Sequence, residues 1–127
     1  MNDLLHVGSA LFNHIKNNGT IDCYYHKAKQ SATVPYCLVY FMSANDDYTF
    51  NDKGLNADYV VKVISDKNFP EEGIRIYGDI HELVQDASLT IPGYSVLRVR
   101  RESILQFEDQ MHFWNVGGLY NFDIWKQ

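Results

Sequence analysis

The sequence predicts an α+β fold: a mostly antiparallel sheet of four to five strands with two helices packed on one face, in the order α-β-β-β-α-β-β. Three observations carry this. The runs Pro35-Tyr-Cys-Leu-Val-Tyr-Phe-Met42 and Ala57-Asp-Tyr-Val-Val-Lys-Val-Ile-Ser65 are dense in β-branched and aromatic residues and flank a polar, turn-rich tract, which reads as a β-hairpin. Two other stretches carry apolar residues at helical spacing. The last third, from Val96 to Trp125, returns to strand-like patterning.

The first helix is expected over residues 3–17. Asn2 or Asp3 can cap its free N–H groups, and Leu4, Leu11 and Ile15, with Leu5 and Phe12 beside them, form one stripe. Asn17-Asn18-Gly19 supplies the stop. Ile21 to His26 is a short strand, and Lys27 to Val34 a polar surface loop. Pro35 restricts Val34 to extended geometry and opens the second strand.

In the third strand Tyr59, Val61 and Val63 point one way, and Val60 and Ile64 the other, with Lys62 among them. Neither face is cleanly polar. That pattern puts one face under helices and sets the other against something partly apolar. Leu38, Tyr40, Val61 and Val63 are assigned to the face under the helices. The tract from Ser43 to Asn56 is too long for a simple turn and reads as an extended tip.

Phe69-Pro70-Glu71-Glu72 opens the second helix, with Pro early and carboxylates at the positive end of the dipole. Tyr77, Ile80, Val84 and Ala87 form its buried stripe, supported by Ile76 and Leu83. Asp79, Glu82 and Asp86 face solvent. Ile91-Pro92-Gly93 is a turn. Two long strands follow, joined at Glu108-Asp109-Gln110, and Gly117-Gly118 reads as a bulge or bend in the second. No repeat, linker or composition shift divides the chain, so residues 1–127 are read as a single domain.

A chain of 127 residues buries roughly two-thirds of its unfolded surface, enough for one core without staples. Net charge is −5, which argues against a protein that grips nucleic acid through its phosphates. Arg98, Arg100 and Arg101 form the one basic cluster and read as a local solvated or ion-paired feature. Nine tyrosines suit half-buried surfaces: a sheet face, subunit contacts, or an aromatic core. Cys23 and Cys37 lie in no metal-ligand spacing and read as small core residues; a disulfide would require neighbouring strands and is not expected. Met1-Asn-Asp-Leu-Leu-His-Val has no basic n-region, so a signal peptide is not expected, nor is a membrane span, and synthesis in a cytoplasm is.

Little in the chain suggests reaction chemistry. His81-Glu82-Leu83-Val84-Gln85 begins like a zinc-protease helix, but Gln85 stands where the second histidine is required. His6, His14, His26, His81 and His112 are scattered and read as exposed polar residues. Asn45-Asp46-Asp47 with Asn51-Asp52 offers oxygens to a hard cation but lacks the alternation and closing Glu of a calcium loop. No glycine-rich phosphate loop or nucleophile elbow is present. No catalytic residue, cofactor or metal is assigned.

The order of elements and several local patterns nonetheless have a likeness. The short leading helix to Ile15 is followed by Val34-Pro35-Tyr36 entering an apolar strand. Then come Tyr59-Val60-Val61-Lys62-Val63-Ile64, the amphipathic helix around Ile74 to Ala87, and a final strand ending Leu119-Tyr120-Asn121-Phe122-Asp123-Ile124. Over nearly its whole length the chain resembles the tail-terminator (tail-completion) proteins of long-tailed phages. The resemblance implies a structural virion protein, not an enzyme. Six copies would form a ring that caps the tail tube and joins it to the neck below the capsid. Its implied partners are its own copies, the tail tube protein and the neck or head-completion protein.

Six copies at −5 each carry about −30, and an acidic lumen would let DNA pass without specific binding. The tip is the expected contact surface, through Tyr48 and Phe50 with Asp46, Asp47 and Asp52. Two other readings remain open: a small acidic cytoplasmic inhibitor of immunity type, and an enzyme with a dispersed acid–base pair.

Overall fold

The structure is a computed structural model that describes residues 2–47, 54–66, 68, 70–85, 91 and 93–126, with side chains described except at 2–6, 44–47 and 126. The elements follow the expected order: α1 (Asn2–Asn18), β1 (Asp22–Tyr25), β2 (Tyr36–Asp47), β3 (Gly54–Ser65), α2 (Glu71–Gln85), β4 (Tyr94–Glu108) and β5 (Trp114–Lys126). They build an α+β fold around a five-stranded sheet in the order β1-β2-β3-β5-β4. Only β1 runs parallel to its neighbour; the other pairings are antiparallel.

Alternation along the strands divides the sheet into two faces. On the helix side, β2 contributes Cys37, Val39 and Phe41, β3 contributes Tyr59, Val61 and Val63, and β5 contributes Val116, Tyr120, Phe122 and Ile124. Helix α1 lays Val7, Leu11 and Ile15 on them, one turn apart, and α2 adds Gly73, Tyr77, Ile80 and Val84. His14 ties the two helices together: its Nε2–H donates to the Leu83 carbonyl at 3.0 Å. The α2 start is as expected, with Glu71 and Glu72 in the first turn and Ile74 N–H bonded to the Pro70 carbonyl at 2.9 Å.

Several expectations need correction. The tract from Ser43 to Asn56 is mostly strand, not loop: Ser43 to Asp47 pair with Asp58 to Gly54, and β5 pairs Gly54 to Asn56 from the other side. Backbone pairing tolerates polar side chains where a third strand supports it. Leu38 and Tyr40 pair with Lys62 and Val60, so they lie on the face away from the helices, opposite Val61 and Val63. The strand's period of two makes this unavoidable once Cys37 and Val39 are buried.

Gly117 and Gly118 do not form a bulge; both lie in regular register with β3 and β4. The irregularities fall instead at Phe41/Ser43 in β2, and at Val96/Arg98 and Arg101/Ser103 in β4. The two glycines mark close approaches. A Cβ at 117 would strike the backbone of Val61 and Lys62, and one at 118 the Tyr77 hydroxyl. The Val34–Pro35 peptide is cis. Ile91 and Tyr94 close the expected turn through a 3.0 Å bond, with Gly93 at a φ of 85° that suits glycine.

Candidate assembly surface

The second sheet face is the candidate functional surface, because among the described residues no helix packs on it. It divides into two halves along the strands. Toward the hairpin tip it is polar. Asn121 Nδ2 donates to Asn56 Oδ1 at 2.7 Å and to Asp58 Oδ1 at 2.8 Å, and Asn56 Nδ2 donates to Asn121 Oδ1 at 2.9 Å and to the Asp123 carboxylate. Ser43 Oγ donates to Asp58 at 3.1 Å, and Arg98 pairs with Asp123 at 2.8 Å. The ladder spans β2, β3, β5 and β4, and its side chains are satisfied by one another.

Away from the tip the face is apolar. Tyr36, Leu38 and Tyr40 of β2 share it with Val60 and Ile64 of β3, Leu119 of β5, and Leu105 and Phe107 of β4. Val60 and Ile64 are buried even here, under their flanking side chains, whereas Phe107 is 43% exposed. Lys62 occupies the middle. Its Nζ lies 5.7 Å from the Tyr40 ring centroid and 5.4 Å from that of Phe107. Gly117, its register partner, has no side chain to block the Lys62 stem. Burial lowers the Lys62 pKa from its ordinary value, and the Asp109 charge partly restores it.

The outer strand β4 borders this face. On this outer strand Leu97 and Ile104 are 65% and 63% exposed, Ile104 on the helix side by its pairing with Gly118. Two of the three arginines are ion-paired: Arg98 with Asp123, and Arg100 with Glu102 at 2.8 Å. Both pairs are largely exposed, so each contributes little to stability.

The sequence missed one polar cluster on the helix side. The Tyr77 and Tyr120 hydroxyls are 2.5 Å apart, His81 Nδ1 is 2.7 Å from the Tyr120 hydroxyl, and Arg101 Nη1 donates to Tyr77 at 3.4 Å. Burial first, and then the Tyr77 hydroxyl, push the Tyr120 phenol above its ordinary pKa, so it stays protonated. These groups fasten α2 to β5 and β4. His81 and His14 are therefore contact residues, not freely solvated ones. A lone His on a helix gives no such signal in sequence; only the register brings Tyr120, 39 positions from His81, beneath α2.

Of the residues expected at the contact surface, Asp46 and Asp47 have their backbones in β2, paired with Leu55 and Gly54. Tyr48, Phe50 and Asp52 lie outside the described residues. Among the described residues no group of three or more His, Cys, Asp or Glu gathers to hold a metal ion, and no helix is long and apolar enough to cross a membrane.

The class defined by this geometry is an α+β sheet protein with helices on one face and a half-apolar second face. No protein-family model matches the chain, and no curated protein matches it in sequence. Among solved structures, its fold is similar to a chain from the virion of a native gene transfer agent particle. That likeness has a TM-score of 0.72 at 10% identity and covers 94% of each chain.

Proposed function

We propose that this chain is a structural subunit of a phage-like particle: a tail terminator or completion protein whose copies form a ring, six in number, that caps the tail tube and joins it to the head–neck connector. The observation that carries the reading is the fold shared with a virion chain along nearly the full length of both. The uncovered sheet face agrees with it. Phe107, Leu105 and Leu38 around Lys62 make a surface suited to a protein neighbour. Closed rings require a heterologous contact, in which two different patches meet at every junction. On this reading the chain performs no catalysis, its partners are its own copies, the tube protein and the neck protein, and its place is the tail or neck of the particle. DNA passes through the lumen without specific binding, and Asp46, Asp47 and Asp52 with Tyr48 and Phe50 belong to the contact or lumen surface.

Negative-stain microscopy with light scattering tests this on the purified chain, alone and mixed with tail tubes. Rings, or caps at tube ends, are the expected result. A chain that remains monomeric and ignores tube ends would overturn the reading. One-to-one capture of a basic partner would favour the acidic inhibitor instead.

A further inference from the structure

Cys23 and Cys37 face each other in register across the parallel pair β1 and β2. Adjacent strands lie about 4.8 Å apart. That separation falls within the roughly 4.4–6.8 Å between Cα atoms that a disulfide spans. Both side chains belong to the helix-side core, and both are free thiols. Their access to solvent differs. Cys37 is fully buried, while Cys23 retains 7% exposure and lines an open cavity of about 670 Å³. Lys16, Lys27 and Lys29 line the same cavity, against one carboxylate, Asp22, together with Phe12 and Tyr25.

We propose that Cys23 and Cys37 are a modification site: a thiol pair that an anionic disulfide oxidant of the glutathione type converts into an intramolecular disulfide, fastening edge strand β1 to β2. Cys23 is the attacking thiol. The hydrogen bond from Cys37 holds its pKa below the ordinary value, against the opposing effect of burial and with help from Lys16. Cys37 is the resolving thiol, held well above its ordinary value by its bond to Cys23 and then by burial. The three lysines outnumber Asp22 in the cavity and attract the carboxylates of the oxidant.

The exchange balances. The Cys23 thiolate attacks one sulfur of glutathione disulfide and expels a glutathione thiolate, leaving a mixed disulfide. Cys37 then gives up its proton, attacks the Cys23 Sγ and expels the second glutathione. Two protein thiols are oxidised, one glutathione disulfide is reduced to two glutathiones, and these carry away both protons. This chemistry stands independently of the ring. Its setting rests on the particle reading: a subunit assembled in a reducing cytoplasm and released into oxidising surroundings gains the crosslink after release.

Purified chain is incubated with glutathione disulfide and followed by thiol titration, intact mass and a non-reducing peptide map. Both thiols should disappear, a Cys23–Cys37 peptide should form, and the thermal midpoint should rise by roughly 10 °C and return on reduction. Cys37→Ser should stop at a glutathione adduct on Cys23, and Cys23→Ser should leave Cys37 unmodified. The proposal is overturned if the folded wild type keeps both thiols titratable while unfolded chain reacts. It is equally overturned if the map holds only adducts or disulfides between chains. The wild-type map needs no variant to fold, and every readout uses isolated chain, so failure to form rings leaves the result interpretable.

Discussion

Tyr77 of α2 and Tyr120 of β5 meet hydroxyl to hydroxyl at 2.5 Å, over the space that Gly118 leaves on the neighbouring strand position. This contact is polar but buried, and it fixes where α2 crosses the sheet. Removing one partner strands the other. Tyr120→Phe should therefore lower stability by about 1–3 kcal/mol in urea unfolding. A loss near zero would mean that Arg101 satisfies the Tyr77 hydroxyl unaided.

Gly118 and Gly117 give a second, steric test. Alanine at 118 would press on Tyr77 and, at 3.1 Å, on the Ser103 carbonyl; alanine at 117 meets the backbone of Val61 and Lys62, which cannot rotate away. Both should destabilise, by about 1–3 kcal/mol at 118 and more at 117. Equal midpoints for the two variants in chemical unfolding would contradict this ordering.

Ser65 offers the opposite sign. Its hydroxyl is fully buried and has no hydrogen-bond partner among the described residues. Ser65→Ala removes an uncompensated polar group and should be neutral or stabilising, by up to about 1 kcal/mol. Marked destabilisation would point to an ordered water at this hydroxyl.

Asp109 organises the β4–β5 turn. Its Oδ1 accepts from the Met111 and Phe113 amides at 2.9 and 3.0 Å, and its Oδ2 from Asn115 at 3.0 Å. Burial works to raise its pKa, but these bonds and the Lys62 charge outweigh it and hold the carboxyl below its ordinary value. A depressed folded pKa contributes stability that is fully present above the unfolded value of about 4 and is lost as pH falls through the folded value. Unfolding midpoints measured between about pH 6 and pH 2 should fall less steeply in Asp109→Asn than in the wild type.

For the assembly reading, Phe107→Glu on the uncovered face and Ile104→Glu on the helix side of outer strand β4 change exposed positions and should leave the thermal midpoint within a few degrees. If this border makes the subunit contact, ring formation in light scattering should be lost. Tyr48→Ala with Phe50→Ala tests the tip in the same assay. Neutralising Asp46, Asp47 and Asp52 to Asn should impair DNA passage while rings still form; normal infectivity with intact rings would remove the acidic lumen from the account.

The sequence by itself determined the element order, the helix stripes and the strand runs. These depend on periodicity, which is local: Leu11 and Ile15 or Ile80 and Val84 announce a buried helix face wherever the sheet lies. It left Arg98 and Arg100 as solvated or ion-paired, and only the β4–β5 register set Asp123 opposite Arg98. It did not determine register. Only the tertiary structure decided that Leu38 and Tyr40 turn away from Val61, that the polar tract pairs as strand to Asp47, and that β1 lies beside β2 and sets Cys23 against Cys37. The same holds for the Tyr77, His81 and Tyr120 cluster, whose members are 39 or more positions apart across the helix–strand contact. The physical reason is that a period of two specifies which side chains share a face of one strand, while the neighbour opposite each is chosen by the burial of the whole sheet.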